Sequence, residues 1–252
     1  MKILAVIPAR YQSSRFEGKP LADICGKLMI ERVYFQAKKV KEFFDVYVAT
    51  DDQRIFDACK ERGVNVIMTS TKHKTGTDRI GEVAEKIPAD LYVNIQGDEP
   101  LIEPETIRTA ILPFLEDPET DIQVSNLMTR IKDPRDLINV TVPKVIAGAD
   151  GRGIFLTRAA APYPKGDLNA AEYYKQVCVY AFTPEALRFY CEFGNKHGKA
   201  KIESIEDIEI LRFIENGYRV QYMEVDSETI AVDTPEDLKR VIYYIENNSK
   251  VC

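Results

Sequence analysis

Three cations and two hydroxyls fall within the ten residues Arg10 to Lys19: Arg10, Ser13, Ser14, Arg15 and Lys19, with Gly18 among them. That set suits a polyphosphate. Arginine grips phosphate through two parallel hydrogen bonds, and lysine serves as a mobile point charge. Backbone N–H groups in a turn add further donors. The residues follow an apolar run, Ile3-Leu4-Ala5-Val6-Ile7. Such a run predicts a strand buried on both faces, ended by Pro8, which cannot donate to a ladder. In open α/β sheets ligands gather beyond the carboxyl ends of the strands. The plain alternative is an exposed basic loop that binds nothing. The loop has neither the GxxxxGK[ST] spacing of a P-loop nor the GxGxxG of a dinucleotide fold.

Carboxylates that could work with such a loop lie far away in sequence. Gln96-Gly97-Asp98-Glu99-Pro100 follows the apolar run Leu91 to Ile95. A carboxylate at the end of a central strand, near a cationic phosphate loop, is a good Mg²⁺ ligand. Alternatively, Asp98 and Glu99 only cap a helix starting near Pro104. Close to the C-terminus, Thr234 fits an N-cap and Pro235 the first helical position. Capping accounts for Thr-Pro-Glu-Asp but not for Asp233, which precedes it. Between these, the polar stretch Thr69 to Arg79 carries Gly76, which permits close backbone approach; it also reads as an ordinary loop and cap. The two histidines, His73 and His197, are not required, because phosphoryl chemistry rests mostly on positioning and electrostatics.

The elements that must hold these residues follow from periodicity and punctuation. Apolar residues at helical spacing run from Lys27 to Phe43. A strand is expected over Asp45 to Thr50, a helix over Gln53 to Arg62 closed by Gly63, and a strand over Val64 to Met68. This β-α-β-α-β order predicts a parallel sheet with right-handed crossovers. A helix over Ile80 to Lys86 and the strand Leu91 to Ile95 continue it, then a helix over Glu105 to Leu115. Beyond lie strands at Val124 to Arg130, Pro143 to Ile146, Gly153 to Thr157 and Gln176 to Thr183. Arg158 to Leu168 reads as a loop or lid. Helices are expected at Pro184 to Phe193 and Ser204 to Asn216, a strand at Arg219 to Val225, and a last helix to about Glu246. The tail from Asn247 to Cys252 is expected to fray.

Composition sets bounds. With 45% hydrophobic and 29% charged residues the chain is an ordinary globular protein. A net charge of −6 argues against a general nucleic-acid binder, whose affinity rests on cationic surface. No apolar run approaches the roughly 20 residues that span a bilayer. The start, MKILAVIPARY, reads as a core strand rather than a signal peptide. Five scattered cysteines without a CxxC pair point to reduced thiols in a cytoplasmic protein.

Taken together, IPARYQSSRFEGKPL, VATDD, MTS…TGTDR, NIQGDEP and AVDTPEDL occur in order along nearly the whole chain. The chain resembles the sugar-acid cytidylyltransferases, above all the CMP-KDO synthetases (3-deoxy-manno-octulosonate cytidylyltransferases). The resemblance implies one α/β nucleotidyltransferase domain over 1–252, with a three-layer, mostly parallel, Rossmann-like sheet. Its core would cover about 1–130 and 200–246. A smaller mixed α/β insertion, about 131–199, would cover the sugar and help form a homodimer. The resemblance also implies that CTP meets Pro8, Ala9, Arg10, Ser13, Ser14, Gly76, Thr77, Arg79 and Gln96. Arg15 and Lys19 would neutralise the β- and γ-phosphates, and Asp98 and Asp233 would hold Mg²⁺. Arg158, Gln176, Tyr180 and Glu209 would receive an anionic sugar acid, giving CMP-KDO for lipopolysaccharide or capsule.

The acceptor segment departs from that family. The family's HxGIYAY appears as Gln176-Val177-Cys178-Val179-Tyr180-Ala181-Phe182, and its LEQLR as Ile208-Glu209-Ile210-Leu211-Arg212. A missing hydrogen-bonding group changes which hydroxyls a polar pocket satisfies. A cytidylyltransferase for another anionic acceptor is therefore an alternative: a modified octulosonate, a nonulosonate or a phosphonate. A catalytically silent nucleotide-binding protein is a third reading, opposed by the presence of Arg15, Lys19, Asp98 and Asp233.

Overall fold

The computed structural model describes residues 1–13, 15–166, 171–226 and 230–248. Ser14, Leu168, Thr229 and the tail residues 249–252 lie outside the described residues. The chain divides into two compact units, Met1–Arg108 with Ser227–Cys252, and Thr109–Asp226. The sequence suggested divisions near 130 and 200 instead. The difference arises because the strand over Val124–Arg130 pairs with strands of the middle section.

In the first unit the strands are β1 (Ile3–Ala9), the two-residue pair β2 (Asp23–Ile24) and β3 (Lys27–Leu28), β4 (Phe43–Thr50), β5 (Val66–Met68) and β6 (Leu91–Ile95). The helices are α1 (Met29–Ala37), α2 (Gln53–Glu61), α3 (Gly76–Lys86), α4 (Pro104–Thr109, at the boundary) and, from the chain's last part, α10 (Pro235–Asn247). β6, β1, β4 and β5 lie side by side and all parallel. Ile3 to Ile7 of β1 are at most 1% exposed, as a strand covered on both faces requires. Each fully buried aliphatic side chain there contributes about 1.5–3 kcal/mol.

Pro8 does not end β1. The strand pairs with β4 as far as Ala9↔Thr50, whereas its register with β6 stops at Val6↔Asn94. Past Val6, β1 has no further rung with β6, the setting in which a strand tolerates proline. The first helix begins at Met29 rather than Lys27, because Lys27 and Leu28 pair back onto Asp23 and Ile24. The third starts earlier than expected, at Gly76, because Thr75 and Asp78 form a capping box.

In the second unit lie α5 (Leu112–Glu116), β7 (Val124–Arg130), α6 (Pro134–Ile138), β8 (Lys144–Ala147), β9 (Gly153–Thr157), β10 (Tyr174–Phe182), α7 (Pro184–His197), α8 (Lys201–Glu206), α9 (Leu211–Glu215) and β11 (Val220–Glu224). β7 pairs parallel to β11 and antiparallel to β10; β8 and β9 form a hairpin on the start of β10. The helix expected over Ser204–Asn216 is broken in two. Asp207 takes left-handed φ 54° and ends α8. Glu203 and Arg212 rejoin the pieces through a buried two-pronged ion pair, with bonds of 2.6 and 2.7 Å.

The segment between β5 and α3 is stapled by one carboxylate. Glu82 accepts from the Ser70 N–H at 2.8 Å, from Lys86 at 2.6 Å, and meets His73 Nε2 at 2.5 Å. Burial alone would raise the Glu82 carboxyl, but the bonds from Lys86, Ser70 and His73 outweigh it and bring it to about 2, against an ordinary 4.5. A depressed folded value means stability that is present above about 4.5 and lost as pH falls toward 2. Glu82→Gln is therefore expected to melt below the wild type at neutral pH, with the gap closing between pH 4.5 and 2 in thermal melts. A gap independent of pH would contradict the staple.

Candidate active site

Two carboxylates and two cations converge in the first unit. Lys19 Nζ donates to Asp98 Oδ2 at 2.9 Å and reaches Asp233 Oδ1 at 3.5 Å. Arg15 grips the same Asp233 with both terminal nitrogens, each at 3.1 Å. Residues 15, 19, 98 and 233 thus form one charged cluster.

Local structure explains each position. Gly18 adopts φ 70°, a left-handed conformation that disfavours a side chain, and starts the 3₁₀ turn Lys19–Leu21. A Cβ on Gly18 would also sit 3.2 Å from the Tyr11 ring. That ring is covered on one side by the Arg54 guanidinium, 3.3 Å from its centroid. Phe16, Leu101 and Ile230 pack against a core of Ile24, Met29, Val232, Val241 and Ile245. The loop, the turn after β6 and the last helix therefore share one apolar floor. The Val232 N–H donates to the Asp98 carbonyl at 2.9 Å, which ties the backbones carrying the two aspartates.

The capping alternative for the aspartates is answered by their partners. Asp98 turns its carboxylate to Lys19, not to the start of α4. Thr234 and Asp237 cap α10 by themselves. Asp237 also takes the Asp233 N–H at 3.2 Å, and the Asp233 carboxylate is left to face the loop. Stability does not account for the cluster. Arg15 is 58% exposed and Asp233 42%, and a pair of that exposure contributes at most about 1 kcal/mol. Concentrating four charges is better explained by a charged ligand.

The other nucleotide candidates gather on the same side of the first unit. Gly76 abuts Pro8, whose Cγ lies 3.1 Å from where a Gly76 Cβ would be. Gly97 is equally confined, 3.1 Å from Ile30 Cδ1. Arg10 donates to the His73 carbonyl at 3.3 Å, and the Ser13 hydroxyl accepts from the Phe16 N–H at 3.4 Å. Ala9 and Thr77 are buried, and Gln96 is half-buried. Arg79 corrects the expectation of a direct contact. It has no exposed surface, and its guanidinium donates to Thr69 and, at 2.9 Å, to Asp51. It braces the turn after β4 against the segment after β5. Asp51, Glu82, Tyr11 and Arg54 were not singled out from sequence, because their importance lies in partners distant along the chain.

The acceptor candidates lie in the second unit. Gln176, Cys178 and Tyr180 alternate along one face of β10, while Val177, Val179 and Ala181 are buried on the other. Burial, with Cys178 and Glu209 nearby, pushes the Tyr180 phenol well above its ordinary value, so it remains a neutral hydroxyl. Glu209 is half-buried and Ile210 is 1% exposed, part of the core. Arg158 is engaged with the backbone: it donates to the carbonyls of Glu206 (2.5 Å), Val140 (2.9 Å) and Asp207 (3.0 Å). Three of its five N–H groups thus close the end of α8 and the turn before β8.

Among the described residues no cluster of three or more His, Cys, Asp and Glu could hold a metal. Two convergent carboxylates are a poor zinc or calcium cage. They suit Mg²⁺, which takes one or two carboxylates and completes its shell with water and substrate phosphate. No helix of the described residues is long and apolar enough to cross a membrane.

A cytidylyltransferase family model matches residues 4–230. A 3-deoxy-manno-octulosonate cytidylyltransferase of Geotalea uraniireducens (strain Rf4) is 42% identical over 252 aligned positions, covering 96% of this chain and 98% of that protein. One of Solibacter usitatus (strain Ellin6076) is 41% identical over 240, covering 95% and 93%. A solved CMP:2-keto-3-deoxy-manno-octonic acid synthetase, complexed with CTP, superposes with a TM-score of 0.90 at 36% identity, covering 98% of this chain and 99% of that one. The mixed α/β architecture with a mostly parallel central sheet is that enzyme's fold, and the chain belongs to the cytidylyltransferase family.

Proposed function

We propose that this cytidylyltransferase transfers CMP from CTP to 3-deoxy-manno-octulosonate (KDO), releasing pyrophosphate and supplying CMP-KDO for lipopolysaccharide or capsule. The observation that carries this reading is the convergence of Arg15, Lys19, Asp98 and Asp233 on one point. It occurs in a chain about 40% identical, over its length, to proteins named for that reaction. A hydroxyl oxygen of the acid attacks the α-phosphorus and gives up its proton to solvent. The new O–P bond forms as the bond to the bridging α–β oxygen breaks, and the electron pair leaves with pyrophosphate. Arg15 and Lys19 hold the β- and γ-phosphates and neutralise the charge that develops there. Pro8, Ala9, Arg10, Ser13, Gly76, Thr77 and Gln96 form the bed for the nucleotide, with Arg79 as a brace beneath it; Ser14 is assigned to the nucleotide by the family resemblance alone. Asp98 and Asp233 would hold Mg²⁺, which when bound screens charge between the two anionic reactants and stabilises the leaving group. With those carboxylates so engaged, Arg15 and Lys19 would be available to the triphosphate.

Arg158, Gln176, Tyr180 and Glu209 receive the acid. A second reading, that the natural acid is a different anionic one, is favoured by a specific observation. Ile210 stands where the family carries glutamine, and it is buried in the core. Two copies associate through the second unit, which exposes Ile138, Val140, Ile154 and Ile205; a single-chain mass by light scattering would overturn this. The reaction belongs in the cytoplasm, which fractionation of cells would check.

Asp98→Asn is expected to lower turnover on the order of 10²–10³-fold, the several kcal/mol that a metal supplies to transition-state charge. The variant is expected to stay folded, losing no more than about 3 kcal/mol of stability from the largely buried Lys19–Asp98 bond. An active Asp98→Asn enzyme, or full turnover without divalent cation, would remove the metal assignment. Incubation with CTP, Mg²⁺ and a panel of sugar acids, followed by pyrophosphate release, is expected to show turnover with KDO. Release only with another acid would transfer the conclusion to the second reading, and CTP binding without release on any acid would refute both.

A further inference from the structure

The polar face of β10 contains an irregularity that one buried side chain repairs. β10 and β7 run in register at Val177↔Leu127, and the next rung is Tyr180↔Asn126. Cys178 and Val179 are therefore two extra residues on β10. An insertion of two preserves the alternation of side chains, so Gln176, Cys178 and Tyr180 stay on one face. It also takes the bulged carbonyls out of the ladder. Asn126, which has no exposed surface, satisfies two of them. Its Nδ2 donates to the Val177 carbonyl at 2.9 Å and to the Val179 carbonyl at 2.8 Å.

Those two bonds consume both amide hydrogens of Asn126 and settle which way its amide faces. Its Oδ1, an acceptor, must point the other way, and there it meets Gln176 Nε2 at 2.8 Å. Gln176 can meet an acceptor only with its NH₂ end. The reverse amide orientation would set oxygen against oxygen. The orientation of the half-exposed Gln176 amide is thus dictated, through one bond, by a fully buried residue fifty positions away. The Gln176 main chain is fixed as well, its N–H donating to the Pro143 carbonyl at 3.1 Å.

We propose that Asn126 is a positioning residue for acceptor selection: it locks Gln176 so that the Gln176 carbonyl oxygen serves as a hydrogen-bond acceptor for one hydroxyl of the sugar acid. This rests on the assignment of Gln176 to the acceptor site. A site built this way rejects an acid lacking that hydroxyl, because Oε1 would then be desolvated without a partner. It also differs from an imidazole at the same position, which can present either a donor or an acceptor by changing tautomer. The locked amide offers no such exchange.

The test uses the full chain and pyrophosphate release with CTP, Mg²⁺ and whichever acid of the panel the wild type takes. Asn126→Leu and Gln176→Met are each expected to raise the KM for the acid about tenfold or more while leaving the KM for CTP unchanged. The double variant is expected to be no worse than the poorer single one, since both remove the same interaction. Among analogues of the acid lacking single hydroxyls, one is expected to lose about tenfold in kcat/KM with wild type, a loss that Gln176→Met abolishes. An unchanged acid KM in Asn126→Leu, or effects that multiply, would overturn the proposal while leaving the transferase reading intact. No release from wild type with any acid would overturn both. Should Asn126→Leu fail to fold, nuclear magnetic resonance of the wild type decides: both Asn126 side-chain amide protons are expected to exchange slowly with solvent, and free exchange would refute the lock.

Discussion

A single ammonium group shared between two aspartates is the constraint on which the first unit depends. Lys19 reaches Asp98 at 2.9 Å and Asp233 at 3.5 Å, although the three residues come from a loop, a strand end and the approach to the last helix. Two carboxylates brought together repel each other, and burial would make that worse. The cation between them offsets that repulsion. The backbone bond from Val232 to Asp98 keeps the two carriers in step. The same arrangement places two cations beside the carboxylates. Under the proposed reading, a metal and a polyphosphate would replace those partners without leaving an unpaired charge.

Such an arrangement needs a rigid loop, and the rigidity comes from shape. Gly18 turns in a left-handed conformation against the Tyr11 ring, and the Arg54 guanidinium lies over that ring. Phe16 anchors the middle of the loop in the core beneath α10. Glycines 76 and 97 let Pro8 and Ile30 come nearer than a side chain would permit. Electrostatic catalysis is worth most when the groups do not reorganise, and here packing rather than the ion pairs holds them in place.

How much of this was legible follows from the range of the interactions. The buried parallel strands, the basic loop and the capping of α10 are local patterns, and the sequence displays them. The convergence of Arg15, Lys19, Asp98 and Asp233 was legible only through the resemblance of several motifs at once. What stayed hidden are buried polar partnerships between distant residues: Arg79 with Asp51 and Thr69, Glu203 with Arg212, Asn126 with Gln176. The family resemblance makes Arg79 a nucleotide contact. Only its burial shows that it is a brace. The continuous helix expected at Ser204 to Asn216 failed for a similar reason. Its periodicity is helical, but Arg158 collects the carbonyls of Glu206 and Asp207 from outside and makes an end there.

The two halves of the reaction make different physical demands. Phosphate chemistry requires formal charge at fixed places, and charged residues announce themselves in a sequence. Choosing one sugar acid among many requires a neutral group whose donor and acceptor ends are distinguished, and a glutamine written in a sequence carries no such sign. The sign is supplied by Asn126, whose own orientation is forced by the two carbonyls of an irregular strand. An insertion in β10 therefore does more than bend the strand. It creates two carbonyls in need of donors, the asparagine that answers them has its oxygen left over, and that oxygen decides which end of Gln176 is presented. Selectivity can change through such neutral residues while the charges that move phosphate stay where they are.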